Sequence, residues 1–417
     1  MFSIDEVTLV CGIVMLVLCI LIPFLNPLMV RLKPDEKFND IENDNPSINA
    51  ICGDEESSDA AALSAGIVND SVHQVRNASN LPGVSVVITV EDEGESLKSN
   101  LSKWLSQSYN GNYQVIVVVS GNDSLVDNIL KQYRDDNRLY TTFIPSSSRY
   151  MSRKKLAVTV GVKAAKYEWV LLSEVDCYPS SETVVASFAA KCTDNTDIVL
   201  GYTCFEDDFQ AARRFDTVHT IYRQLAKAQR GKAWGFAGNG LMLRKKMFIE
   251  GKGFDGNLKY ARGEYDFLAS KYSSDCNTAV FCNLEEMIMR QPLSNKGWRN
   301  KVLNYIAIRK TLNGATKARL FFNASMCAMA ISNISVLSVA AYSLYTSRFA
   351  LLIAALAAFV ISVILRMVVL SCSIRPYLDD MPYFKMWWFE QTLPFRNALR
   401  LFRYHRADKY DFISHKV

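Results

Sequence analysis

The stretch Trp169-Val170-Leu171-Leu172-Ser173-Glu174-Val175-Asp176-Cys177-Tyr178-Pro179 decides how this chain folds. A continuous apolar run is what a strand buried on both faces requires. It is followed at once by two acids two residues apart. Alternate residues of an extended chain point the same way, so Glu174 and Asp176 can share one ligand. Hard carboxylate oxygens suit Mg²⁺ or Mn²⁺ held jointly with substrate phosphates. Acid-x-acid is equally the pattern of a surface turn. Position favours the ligand reading, because open α/β sheets bind ligands beyond the carboxyl ends of their strands.

Upstream the same texture repeats. Residues 84–90 form a β-branched run that predicts a buried strand. Helical spacing of Leu97, Leu101, Trp104 and Leu105 predicts a helix over 95–107. Further strands are expected at 115–119, 140–144 and 169–172, with helices at 125–133 and 154–166 between them. Alternating strands and helices predict an α/β fold, with a mainly parallel sheet covered by helices on both faces.

The order of segments now carries a resemblance. Arg153-Lys154-Lys155-Leu156-Ala157 and Gly161-Val162-Lys163-Ala164-Ala165-Lys166 lead into the apolar strand and its Glu174-Val175-Asp176 end. The opening strand, Glu91-Asp92-Glu93, and a helix ending in Leu105-Ser106-Gln107-Ser108-Tyr109 precede them. Over about residues 82–312 this resembles the family 2 glycosyltransferases of the GT-A fold, of the bacterial membrane-anchored type. The resemblance implies inverting, metal-dependent hexosyl transfer from a nucleotide-diphosphate sugar. The metal, Mg²⁺ or Mn²⁺, would sit at Asp176 with Glu174 behind it and neutralise the departing diphosphate.

Other residues take implied roles from the same resemblance. Lys154 or Lys155 would face the donor phosphates; a solvated basic helix face is the plainer reading of each. Many family members end the second strand with an Asp that contacts the nucleotide base. Here that strand is followed by Ser120-Gly121-Asn122-Asp123-Ser124, so Asp123 serves only if the loop is longer by two residues. The cluster Arg262-Gly263-Glu264-Tyr265-Asp266 falls where the family keeps its catalytic base. Glu264 is the first candidate and Asp266 the second, with Tyr265 interrupting the usual adjacent pair. A carboxylate there takes the proton from the attacking acceptor hydroxyl; the alternative is acidic helix-start residues favoured by the dipole. The run Gly231-Lys232-Ala233-Trp234-Gly235-Phe236-Ala237-Gly238-Asn239-Gly240 would line the acceptor side through Trp234, Gly238 and Asn239, although Trp234 reads equally as core. Processive members carry Q-x-x-R-W after this region. The chain instead reads Gln291-Pro292 and Lys296-Gly297-Trp298-Arg299-Asn300-Lys301, with Trp298 and Lys301 as substitutes or as part of a basic interfacial helix.

Bulk properties exclude other classes. A net charge of +5 does not call for nucleic acid. No C-x-x-C pair occurs among ten cysteines and four histidines, which argues against a zinc site. No phosphate-binding glycine loop occurs, which argues against a kinase.

The chain's ends are apolar. Residues 7–30 read as a membrane span preceded by Asp5 and Glu6 and followed by Arg31 and Lys33, unlike a signal peptide with its basic start. Spans are also expected near 320–345 and 349–372, and a basic tail with an interfacial helix over 381–401 follows. The expected organisation is an anchor over 1–33, an acidic linker over 34–81, the transferase domain over 82–312, a hairpin over 313–374 and a tail over 375–417. Positive charge stays inside, so the N-terminus is expected outside the inner (plasma) membrane, with the domain and C-terminus cytoplasmic. The expected partners are a nucleotide-diphosphate sugar, a glycan or polyprenyl-linked acceptor and the bilayer. The alternative is a catalytically inactive relative acting as a membrane scaffold or binding subunit, since fold does not fix function.

Overall fold

The computed structural model describes residues 6–33, 35, 81–91, 94–121, 124–144, 151–206, 210–378 and 380–413. Asp123 and nearly all of the expected acidic linker lie outside these residues.

The centre is a seven-stranded sheet. Strands β1 (Val84–Val90), β2 (Tyr113–Val119), β3 (Leu139–Phe143) and β4 (Trp169–Glu174) run parallel in the order β3-β2-β1-β4. Two short strands, Cys177–Pro179 (β5) and Ile198–Gly201 (β6), come next in the chain, then Thr203–Phe205 (β7). Beside β4 lies Leu241–Arg244 (β8), antiparallel to both β4 and β6, and Thr278–Phe281 (β9) closes the edge parallel to β6. The sheet is therefore mixed, and parallel over the half that was legible as alternating strands and helices.

The β-branched composition of β1 explains its place. All seven residues are buried. Val84, Val86, Ile88 and Val90 pack with Leu97, Leu101 and Trp104 of the helix Gly94–Leu105, while Val87 packs with Ala157, Val158 and Val162 of the helix Arg153–Ala164. Alternation thus feeds two cores, one on each face.

A second sheet of three strands aligns the site. Ile288–Arg290 (β10) runs antiparallel to β5 and parallel to β7. Its register sets Arg290 opposite Cys177 and beside Phe205. An arginine far along the chain is thereby delivered to the end of β4.

Two helices, Ala315–Tyr345 and Phe349–Ser373, are long and apolar enough to cross a membrane. At 31 and 25 residues they extend well beyond the ~30 Å hydrocarbon core. The N-terminal segment departs from expectation. Among the described residues its helix is Glu6–Leu21, 16 residues, shorter than that thickness. Two 3₁₀ turns, Ile22–Leu25 and Pro27–Met29, follow it. Pro23 and Pro27 lack the N–H that a continued α-helix needs. The short helix still packs on the pair, with Met15 and Cys19 against Val336, Ala355 and Ala358.

Beyond the pair runs Tyr383–Arg406. Its inward face holds Met386, Glu390, Leu393 and Tyr404, all buried. Two of its arginines, Arg396 and Arg400, grip Asp216 on the helix Ala211–Ala228, the first at 2.7 Å. Before these elements, Leu32 N–H donates to Tyr222 Oη at 3.0 Å and Asp35 pairs with Lys191 at 2.6 Å. The chain leaving the N-terminal helix is thus stitched to the sheet domain.

Candidate active site

At the end of β4 the apolar strand gives way to Glu174 and Asp176, as position suggested, but the pair has cationic company. Lys154 Nζ lies 2.6 Å from Glu174 Oε1. Arg290 Nη2 lies 3.1 Å from Glu174 Oε2 and 2.9 Å from Asp176 Oδ2. Burial opposes ionisation of Glu174, but Lys154 and then Arg290 outweigh it and hold its pKa below the usual carboxylate range. Arg290 Nη1 donates to Asn239 Oδ1 at 3.0 Å. Lys301, on the helix Asn295–Ile308, completes the cluster. Burial, and then Arg290, lower its ammonium to about 7, against the opposing pull of Glu174 and Asp176.

Neighbouring Lys154 and Lys155 diverge. Lys154 faces Glu174, whereas Lys155 is wholly buried and turned elsewhere. Its Nζ donates to the Asn257 carbonyl at 2.6 Å, to Asn257 Oδ1 at 2.7 Å and to the Tyr260 carbonyl. Consecutive helical residues project about 100° apart, so only one of the two reaches the strand end.

The second acidic cluster begins the helix Glu264–Tyr272. Gly263 precedes it at φ +92°, and a Cβ there would lie 2.6 Å from Ile308 Cγ1, so glycine is required. Both acids fall in the first turn. Glu264 is 3% exposed, and its Oε1 has no hydrogen-bond partner among the described residues. Asp266 is more enclosed by its partners. It accepts from the Phe236 N–H and from Gln224 Nε2 at 3.4 Å, and burial raises its carboxyl to about 7 despite them. A Cβ on Gly235 would come within 2.9 Å of Asp266 Oδ1, so the glycine run makes room for this acid.

These groups share one cleft of about 1020 Å³. Lys154, Glu174, Asp176, Glu264, Asp266 and Arg290 line it. So do Gly238, Asn239 and Trp298. Asn239 is buried to 1% and tied by its N–H to Thr203 Oγ1 at 2.8 Å, while its Nδ2 has no partner among the described residues. Trp298 meets the Phe205 ring edge-on at 6.4 Å between centroids. Trp234 does not line the cleft. It packs with Ile308, Leu312 and Ala315, the core alternative left open by sequence.

A donor set for a divalent cation is thin. Among the described residues no three His, Cys, Asp or Glu side chains gather to hold a metal. Both Glu174 oxygens are engaged by cations. Among the described residues Asp176 Oδ1 accepts only from the Cys177 thiol, at 3.4 Å. Asp176 therefore fits Mg²⁺ or Mn²⁺ as a single protein ligand, with substrate phosphate oxygens completing the shell.

Residues 85–251 match the model of glycosyl transferase family 2. No curated protein matches the chain by sequence. Among solved structures, the mannosyltransferase PcManGT from Pyrobaculum calidifontis, in complex with GDP-Man and Mn²⁺, is similar at 13% identity and a TM-score of 0.44. That match covers 67% of this chain and 88% of that one. S. aureus TarS 1-349 in complex with UDP-GlcNAc is similar at 12% identity and a TM-score of 0.41, over 76% and 92% of the two chains. The family match ends at residue 251, before Glu264, Arg290 and Lys301, so those three stand on geometry alone.

Arg290 went unread in the sequence, and its signal was available: Ile288-Met289-Arg290 is a short apolar strand ending in a charge, as β4 is. Arg262 pairs with Glu91 at 3.2 Å, and its pKa is raised by Glu91, Glu264 and Glu174 against the opposing effect of burial.

Proposed function

We propose that this protein transfers one sugar per encounter from a nucleotide-diphosphate sugar to a glycan or polyprenyl-linked acceptor at the cytoplasmic face of a membrane, with inversion at the anomeric carbon. The observation that carries the reading is the shared cleft. Glu264, with an unpartnered carboxylate oxygen, and a cationic cluster at the end of β4 face the same cavity.

The acceptor hydroxyl attacks the anomeric carbon and forms the new C–O bond. Glu264 takes the hydroxyl proton as the general base. The bond from the anomeric carbon to the diphosphate oxygen breaks, and the diphosphate leaves with the electron pair. Lys154 and Arg290, fixed at the end of β4, stabilise that charge, and Lys301 adds to it when protonated. A divalent cation at Asp176 would supply further neutralisation of the leaving diphosphate. Glu174 orients Lys154 and Arg290. Asp266, held by Gln224 and Phe236, is better placed as a support of the base than as the base itself.

Membrane attachment is supported by the two long apolar helices, and the cytoplasmic orientation by the basic residues that follow the N-terminal apolar segment, Arg31 and Lys33, and the second long helix, Arg375. The test uses the full chain in detergent with a panel of UDP-, GDP-, dTDP- and CMP-sugars. Wild type is expected to consume one donor. Glu264→Gln should lose about a hundredfold or more in turnover while still binding that donor. Equal turnover in the variant would remove Glu264 from the mechanism. A second reading is a scaffold that keeps the cleft without turnover, favoured by the ion pairs that already occupy both Glu174 oxygens. Donor binding without consumption by wild type would support it.

A further inference from the structure

The cleft does not end at the catalytic acids. It continues between the helices Ala211–Ala228, Asn295–Ile308 and Tyr383–Arg406, and reaches Phe322 and Asn323 at the base of the first long apolar helix. This far end is rich in nitrogen donors. Arg223, Arg309 and Arg400 line it, along with Asn397 and His219. Three of these side chains have an atom without a hydrogen-bond partner among the described residues: Arg309 Nε, Asn397 Nδ2 and His219 Nε2. His219 is 2% exposed and kept neutral, first by burial and then by Arg223 and Arg396. Asn397 is fixed in orientation because its Oδ1 accepts from Arg400 Nη1 at 3.1 Å.

Buried polar atoms left unpaired are costly, so three of them, from three different segments around one end of the cleft, favour a polar ligand there. The surrounding arginines favour an anion. Arg396 and Arg400 are only partly neutralised by Asp216, and Arg223 and Arg309 add two cations. Asp408 and Asp411 also line the cleft, on the segment after the last long helix, so four arginines face three carboxylates along it. Tyr305 connects the two ends: it interacts with Asp266 and hydrogen-bonds Arg309.

We infer that this far end is a binding site for the phosphate or diphosphate headgroup of a lipid-linked acceptor, built from His219, Arg223, Arg309, Asn397 and Arg400. The lipid source follows from the wall's other side. On the same helix Phe384, Trp388, Phe395, Leu399 and Phe402 are all exposed and fall within an arc of about 60°. An apolar face of this kind lies in a bilayer interface, so the donors on the inward face stand at headgroup depth. An anion held there would leave the attached sugar hydroxyl directed along the cleft toward Glu264. The inference rests on the glycosyl-transfer reading for the hydroxyl's fate, though the binding itself does not.

The test measures binding rather than turnover. Full-length protein in phosphatidylcholine nanodiscs is titrated with polyprenyl phosphate, with inorganic pyrophosphate and with neutral polyprenol; nucleoside diphosphate binding is measured in parallel. Wild type is expected to bind polyprenyl phosphate and not polyprenol. Arg309→Gln should weaken that binding about tenfold or more, the size of one charge-assisted hydrogen bond, with nucleotide binding and melting temperature unchanged. Asn397→Asp should weaken it similarly. Unchanged lipid binding in Arg309→Gln would overturn the inference, as would equal binding of polyprenol. Pyrophosphate binding as tightly as the lipid would reassign the site to free phosphate and overturn the lipid assignment. Failure of nucleotide binding in wild type, with lipid binding intact, would count against the transferase reading alone.

Discussion

At the scale of single residues, neighbours in sequence have parted company. Lys154 and Lys155 were equivalent to sequence reasoning, and burial separates them. Lys155→Met should destabilise the fold by roughly 2–4 kcal/mol, because the Asn257 and Tyr260 acceptors lose their buried donor. Lys154→Met should cost less stability, because Arg290 still pairs with Glu174, and should weaken nucleotide-diphosphate binding; thermal scans and titrations of the two variants separate the roles. Asp266 gives a pH signature. Its folded carboxyl is raised to about 7, above the unfolded value near 4, so its ionisation opposes folding. That cost is absent below about pH 4, grows as pH rises and is complete above about 7. Asp266→Asn keeps an acceptor for the Phe236 N–H and removes the cost. Its melting temperature should exceed wild type at pH 8, with the advantage fading as pH falls toward 4. An advantage independent of pH would contradict the raised carboxyl.

At the scale of elements, the strands of the parallel half were legible because each is a pure apolar run between polar turns. Expected strands at 84–90, 115–119, 140–144 and 169–172 stand as Val84–Val90, Tyr113–Val119, Leu139–Phe143 and Trp169–Glu174. The short strands beyond β4 escaped because they are three or four residues long, too short for periodicity to register. Arg290 escaped with them, since only the pairing of β10 with β5 brings it to Glu174. The N-terminal run was over-read for a different reason. Apolar composition continues through Pro23 and Pro27, but the helix does not. The acidic helix start depends on its glycine. Gly263→Ala meets both a left-handed backbone and the Ile308 side chain, and should cost about 1–3 kcal/mol while displacing Glu264. A drop in turnover larger than the drop in stability would show that the turn aims the acid.

At the scale of the whole molecule, the domain and the long apolar helices are joined by more than one polypeptide link. Asp216 is held by Arg396 and Arg400, Arg214 makes a two-point pair with Asp380 at 2.7 and 2.9 Å, and Asp35 pairs with Lys191. The cleft is therefore fixed relative to the helices that form its far wall, which suits an acceptor presented from a bilayer. Asp216→Asn should loosen the helix Tyr383–Arg406, seen as faster amide exchange there than in β1–β4, because two buried-facing arginines lose their counter-charge.

The central claim is that the cleft at the end of β4 binds and uses a nucleotide-diphosphate sugar. The most direct measurement is donor binding and consumption by the purified full chain across the four nucleotide-sugar classes, with Mg²⁺ or Mn²⁺, beside Asp176→Ala. The account predicts that one donor class binds and is consumed, and that Asp176→Ala loses both without unfolding. A folded wild-type protein that binds none of them would contradict it.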